Sequence, residues 1–376
     1  MRLAPGCLFN KPHKVHHHRA MIRRWEKVIG TGIVSLLILS LLLVLIEGSV
    51  RWLYPEITPQ MSDHRLFDLH KYGRTYGYKA WATGEELGAL ITTDEYGFRT
   101  SARSRLRNTL DQILVLGDSV SVGVGVDAEQ TYPFLLEEML GRKVLNASAS
   151  GYWIADYVEV LEHVAENFKP QLVILGICLN DVSPTSQVNI VTLTRKKKED
   201  VEVSPDERRY PTMLMRTLRY VNDNYLNFHS FLGSYSRSYV LLKSLAADSA
   251  RDHFAADRLY YRDARTIEFL SSQFAKIKGS LTDEKVLLLV IFPYEYQLRT
   301  GPMGTLEPQS IIKEAGRRAG VMIYDLYDEL LEYLKVNRLP SRAIYLFNDP
   351  LHFNSIGHHA IAELIHRHIK QKQIRH

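Results

Sequence analysis

The stretch Ile113–Gly123, ILVLGDSVSVG, runs from apolar residues straight into glycine, aspartate and serine. Those three types favour turns, so a strand followed by a turn would account for them. Their position suggests more, because a small hydroxyl at the carboxyl edge of a parallel sheet is placed to act as a nucleophile. A serine attacks an acyl carbon only when a base takes its proton and donors stabilise the oxyanion. Residues of the required types recur downstream. Gly151 closes NASASG, where a backbone N–H can approach a substrate oxygen with no side chain in the way. Asn180, in GICLND, offers a side-chain amide as a further donor. Asp349 precedes His352 by three residues in NDPLHFNSIGHHAIAELI. One short loop can then hold an imidazole together with the carboxylate that fixes its tautomer.

These residues need a scaffold that brings strand ends together, and the hydrophobic pattern describes one. Strand-like QILVLG is followed by helix-like Tyr132–Gly141 with Pro133 in its first turn. Strand Lys143–Ser148, helix Ile154–Phe168 and strand Gln171–Ile177 come next. The pattern resumes with strand Lys285–Pro293, helix Gln309–Gly320, strand Val321–Leu326 and a last helix from about Ser355 to Lys370. Continuous apolar strands separated by amphipathic helices predict a parallel sheet covered on both faces. Five such strands predict an α/β, flavodoxin-like, doubly wound domain with its site at the carboxyl ends of the strands.

In these blocks the chain resembles the SGNH (GDSL) hydrolase superfamily, from about Asp111 to the C-terminus. GDSVSVG keeps the family's first block, and HFNSIGHHAIA is close to its last, with Phe353 where proline is common. YGFRT, before the domain, resembles a segment of membrane-anchored members. The resemblance implies the SGNH hydrolase fold and a serine esterase. It implies Ser119 as nucleophile, His352 as general base and then acid, and Asp349 as its orienting partner. The oxyanion hole would comprise the N–H groups of Ser119 and Gly151 with the Asn180 amide. No metal or other cofactor enters such a mechanism.

Competing assignments for single residues are blander. Asn180 and Asp181 could cap a helix, and an Asp-x-x-His pair at a helix start could be a satisfied cap. Asp118 and Asp181 are taken as structural. His358, His359, His366 and His368 lack a metalloprotease spacing and are expected to decorate a helix surface. GVGVDA matches a dinucleotide-binding pattern but begins well past the end of its strand, and the acid after the second strand is missing. The two cysteines, Cys7 and Cys178, give neither a disulfide framework nor a zinc site.

The formal charge of +5 over 376 residues is small, and much of it is local. Arg2, Lys11, Lys14, Arg19, Arg23, Arg24 and Lys27 face only Glu26. That distribution excludes a basic nucleic-acid face. Val28–Ile46 is 19 residues without a charge, about the length of a membrane-spanning helix at ~1.5 Å per residue. EGSVRWLYP offers no small-residue cleavage site, which favours an uncleaved signal anchor. LAPGC precedes the apolar segment instead of following it, so it is not a lipidation box. Trp25 on one side, and Trp52 and Tyr54 on the other, suit the two interfaces. The preceding basic cluster places the N-terminus in the cytoplasm and the rest outside it, in the periplasm if the cell is Gram-negative.

The expected layout is a basic tail at 1–27, with HKVHHH (His13–His18) as part of it, and an anchor at 28–46. A connecting segment follows at 47–110, with strand or hairpin structure in Ala89–Thr100. The hydrolase-like domain occupies 111–376, interrupted by an insertion at about 183–283. The charge run RKKKEDVEVSPDERR in that insertion reads as a solvated loop and its helical remainder as a lid or side subdomain. The expected reaction removes small acyl groups, acetyl above all, from a cell-envelope glycan or glycolipid. A lipase or lysophospholipase and an O-acyltransferase would use the same triad, and a non-catalytic envelope-assembly or binding protein could use the same scaffold.

Overall fold

The computed structural model describes residues 13–58, 63–72, 75–102, 112–182, 228–281, 285–302 and 305–372. The chain divides after Pro55 into two compact units. In the first, helix α1 (His13–Leu53) begins inside the stretch expected to be a tail. From Lys27 to Leu53 it is long and apolar enough to cross a membrane, by length and composition. The remainder of the tail and the charge run at 195–209 lie outside the described residues.

The second unit opens with two antiparallel hairpins, β1 (Phe67–Tyr72) with β2 (Thr75–Tyr78) and β3 (Thr83–Glu86) with β4 (Ala89–Thr92). An isolated bridge from Thr93 to Arg99 continues the second hairpin. The alternation then follows: β5 (Gln112–Leu116), α2 (Ser119–Val122), α3 (Tyr132–Leu140), β6 (Lys143–Asn146), α4 (Ile154–Phe168) and β7 (Leu172–Ile177). Within the insertion stand four described helices, α5 (Phe228–Tyr235), α6 (Arg237–Ala246), α7 (Ser249–Tyr261) and α8 (Thr266–Gly279). Next come β8 (Val286–Ile291), α9 (Glu295–Thr300), α10 (Glu307–Ala319), β9 (Met322–Asp325), α11 (Tyr327–Val336) and α12 (Ser355–Gln371).

The five later strands form one parallel sheet in the order β6-β5-β7-β8-β9. This is the expected doubly wound α/β arrangement, and its central strands β5 and β7 are buried along their whole length. From β5 the chain steps outward to β6, then crosses back past β5 to β7. Right-handed crossovers in opposite directions put α3 and α4 on opposite faces. Consistent with that, α3 packs with α12, whereas α4 packs with α8 and α8 with α10. Reversal of direction at β5 opens a crevice at the carboxyl ends of β5, β6 and β7, where GDS, NASASG and CLND emerge.

Two strand ends meet with no room for side chains. A Cβ on Gly117 would lie 2.2 Å from the Ser121 hydroxyl, and one on Gly176 would lie 2.3 Å from the same oxygen. Glycine at both strand ends lets the turn after β5 sit directly on the end of β7.

Candidate active site

Ser119 stands at the first position of α2, directly after the cap. The Asp118 carboxylate accepts the Val120 N–H at 2.9 Å, which fixes the turn's entry. Ser119 Oγ lies 2.8 Å from His352 Nε2, and His352 Nδ1 lies 2.8 Å from Asp349 Oδ2. The other carboxylate oxygen of Asp349 accepts the N–H groups of Leu351 and His352, at 2.9 and 2.8 Å. The four-residue loop therefore folds around its own aspartate, which holds the imidazole by Nδ1 and leaves Nε2 towards the serine. Phe353 lies buried against Tyr345, their ring centroids 4.5 Å apart, and Asn354 caps α12 by accepting the Gly357 N–H. The side chains of His352 and Asp349 remain 17% and 18% exposed, open enough to be reached by a substrate.

Electrostatics at the pair follow from its charges. Burial alone would lower the His352 pKa, but the Asp349 carboxylate, helped by Asp118 and Glu86, holds it above the ordinary histidine value. For Asp349, burial pushes upward, yet the charge and hydrogen bonds of His352 hold the carboxyl below its usual range. Asp349 is thus an anion hydrogen-bonded to the imidazole, with Nδ1 as donor and Nε2 left to face the serine.

Gly151 sits in a turn closed by the Tyr152 N–H on the Ala149 carbonyl, 3.2 Å away. Its φ of +80° at the third position of that turn demands glycine. The exposed Gly151 therefore presents bare backbone beyond the end of β6. Asn180 follows β7 in a short 3-10 turn. Its amide hydrogen-bonds to the Asp118 carboxylate, and its Oδ1 lies 3.4 Å from the Tyr294 hydroxyl, which donates to Asp257 at 2.7 Å. An amide nitrogen carries two hydrogens, so one held by Asp118 leaves one for a substrate oxygen.

Asp118 and Asp181 are both fully buried and bonded to backbone, as structural residues should be. Asp181 accepts the Cys178 N–H and the Tyr157 hydroxyl, and burial with the nearby Asp118 charge pushes its carboxyl well upward. Asp118 does more than cap, since it also lies 3.4 Å from Ser119 Oγ.

His358 corrects one expectation. It does not decorate the surface but is 1% exposed, with Nδ1 accepting the Tyr132 N–H at 3.3 Å. It falls on the face of α12 that packs on α3, whereas the adjacent His359 is exposed beside Glu363. His368 also departs from the expectation, being half-buried with its ring stacked on Tyr324 at 3.9 Å between centroids.

Several residues near the site carry no sequence pattern that singles them out. The insertion helix α7 reaches the Asn180 turn, with Tyr261 donating to the Leu179 carbonyl. Ser150 is contacted from the hairpins by Tyr76, Tyr78 and Glu86. Arg99, inside the YGFRT segment, is buried against the end of α2; that segment was the one available signal.

Chains of known structure are similar to this one at low identity. The lipase/acylhydrolase from Enterococcus faecalis is 15% identical over 70% of this chain and 96% of its own, with a TM-score of 0.39. An acetylxylan esterase from Geobacillus stearothermophilus is 18% identical over 69% and 94%, with a TM-score of 0.39. No curated protein matches the chain. The family model for GDSL-like lipase/acylhydrolases matches residues 113–365, which include Ser119, Gly151, Asn180, Asp349 and His352. The chain belongs to that family and is a carboxylic ester hydrolase.

Proposed function

We propose that the protein is a membrane-tethered serine esterase acting outside the cytoplasm, and that it removes small acyl groups, acetyl in the first instance, from cell-envelope glycans or glycolipids. The hydrogen-bonded succession Ser119–His352–Asp349 carries the catalytic part of this reading. Ser119 Oγ attacks the acyl carbon as its proton passes to His352 Nε2, while Asp349 stabilises the imidazolium that forms. The carbonyl oxygen, now anionic, is received by the N–H groups of Ser119 and Gly151 and by the Asn180 amide. The intermediate collapses, His352 gives its proton to the departing alkoxide, and the acyl group stays on Ser119. Water then attacks the acyl-enzyme, with His352 taking its proton and returning it to Ser119 as the carboxylic acid leaves.

The apolar helix after a basic segment supports the tether and its orientation. A tether of that kind confines the enzyme to substrates of the envelope, which motivates the glycan. A second reading, a lipase for longer chains, is favoured by Phe231, Tyr235, Leu242 and Leu245, which stand exposed on α5 and α6.

The full chain in detergent should be assayed with p-nitrophenyl esters of graded length and with O-acetylated glycans. Fastest turnover of the acetyl ester with release of acetate from a glycan is the expected result. A preference for octanoyl or longer esters would transfer the assignment to the lipase. Alkaline phosphatase fused after His376 should be active, and activity of a cytoplasm-only reporter at that position would overturn the orientation.

A further inference from the structure

The segment just before the matched region touches both the turn that carries the proposed nucleophile and the loop of Gly151. Helix α2 has only four residues, so almost none of its carbonyls can be satisfied from within. The Ser119 carbonyl accepts Gly123 N–H and Val124 N–H, and the Ser121 carbonyl accepts the Asn146 amide. The last carbonyl of the helix, and those just beyond it, are held by one side chain. Arg99 Nη1 donates to the carbonyls of Val122 and Gly123, each at 2.7 Å, and Nη2 donates to Val126 at 2.7 Å and Leu90 at 3.1 Å. A fork of this kind is rigid, which a lysine ammonium is not. Arg99 is 2% exposed, and burial lowers its pKa only to about 10, so it is a buried cation at the carboxyl end of the nucleophile's turn.

The loop of Gly151 is gripped from the same segment. Tyr76 donates its hydroxyl to the Ser150 carbonyl at 2.8 Å. That carbonyl belongs to the peptide whose N–H is the Gly151 N–H. In a trans peptide the two groups point opposite ways, so holding the oxygen aims the hydrogen. The Ser150 hydroxyl donates to Glu86 at 3.0 Å, and the Tyr152 hydroxyl returns to the Tyr76 carbonyl at 2.7 Å.

We propose that Tyr76 and Arg99, which precede the matched residues 113–365, are positioning residues of the esterase: Tyr76 aims the Gly151 N–H and Arg99 holds the turn that carries Ser119. This rests on the reading of Ser119 as nucleophile and of Gly151 as oxyanion donor. The role of neither residue requires contact with substrate. Each acts by removing the freedom of a group that makes such contact, and displacement of a reacting group by about 1 Å can cost roughly a hundredfold in rate.

The test compares wild type, Tyr76→Phe, Arg99→Lys and Ser119→Ala, each as the full chain in detergent. The readouts are kcat and KM on p-nitrophenyl acetate and the melting temperature. Tyr76→Phe removes one oxygen and should lower kcat about tenfold with KM within twofold and the melting temperature unchanged. Arg99→Lys should lower kcat about ten- to a hundredfold, again with little change in KM. Wild-type kcat in folded Tyr76→Phe, or a rise in KM alone, overturns the proposal, and that variant decides if Arg99→Lys fails to fold. Ser119→Ala separates the two failures. If it stays active, the nucleophile has been misassigned; if it is inert while Tyr76→Phe turns over normally, only the positioning role falls.

Discussion

The Asn180 side-chain amide donates to the fully buried carboxylate of Asp118. A donor aimed at substrate would be dispensable to the fold, whereas this one also satisfies a buried acceptor, so its removal should be felt twice. Asn180→Ala is expected to lower kcat by roughly 10²–10³ with little change in KM. It should also cost about 1–3 kcal/mol of stability, because Asp118 loses a partner. Kinetics and melting on one preparation decide, and a variant that melts early but turns over normally removes Asn180 from the oxyanion hole.

A fluorophosphonate probe should label Ser119 and fail on Ser119→Ala. The neighbouring Ser121 is no substitute, since it is 0% exposed and its hydroxyl accepts from Tyr132. Ser121→Ala should therefore keep its label, and mass spectrometry of the modified peptide distinguishes the two serines.

The serine's base must be neutral to act, and the Asp349 carboxylate holds the His352 pKa above 6.5. The acid limb of the kcat/KM profile should accordingly lie above that value, with activity rising as pH rises through it. Glu86 adds to the upward shift by its charge, so Glu86→Gln should move the limb down. Asp349→Asn should lower kcat by roughly 10³–10⁴, by losing the tautomer as well as the charge. An acid limb that does not respond to either change would mean that another group is titrating.

His358 should weaken the fold in acid. Burial first, and then the charges of Arg99 and His352, push its pKa down to about 3. The unfolded chain, with an ordinary value of about 6.5, then binds a proton that the folded chain refuses. Stability from this group is complete above about 6.5 and declines as pH falls towards 3. His358→Gln cannot titrate, so its urea midpoint should fall less than that of wild type between pH 7 and pH 5. Equal slopes would show that the acid sensitivity lies elsewhere.

Gly117→Ala and Gly176→Ala should each destabilise by about 1–3 kcal/mol or more, since the added carbon collides with Ser121. Pairing Gly117→Ala with Ser121→Ala should recover part of the loss, but only part, because the Ser121 Cβ is itself 2.6 Å from the added carbon. Purely additive losses in thermal melts would refute that coupling.

The doubly wound sheet was legible because its buried strands are unbroken apolar runs, and β5 to β9 fall within one or two residues of expectation. The candidate site groups stand out in the sequence for a related reason, since each follows a strand or precedes the last helix. The hairpin β1–β2 was not legible, because FDLHKY and TYGY are short and their alternation, spread over mixed polar and aromatic residues, is too brief to mark a strand. The burial of His358 and the packing of His368 on Tyr324 were not legible, because histidines on one helix differ only in which face packs, and the sequence does not say which elements lie beneath them. Tyr76 was illegible as part of the site, and Arg99 was marked only by the YGFRT segment around it, because both bond to backbone carbonyls, which have no sequence identity to match.

The hydrogen bond between Ser119 and His352 spans 233 residues of chain. With Ser119 as the proposed nucleophile, the serine is an ordinary alcohol until the His352 loop ahead of α12 is in place, and a chain stalled or clipped before His352 should be inert. On that reading a cell that makes this enzyme should release no hydrolytic activity from unfinished copies. At the bench, the number of serines that react with a stoichiometric probe counts completed molecules and ignores the rest.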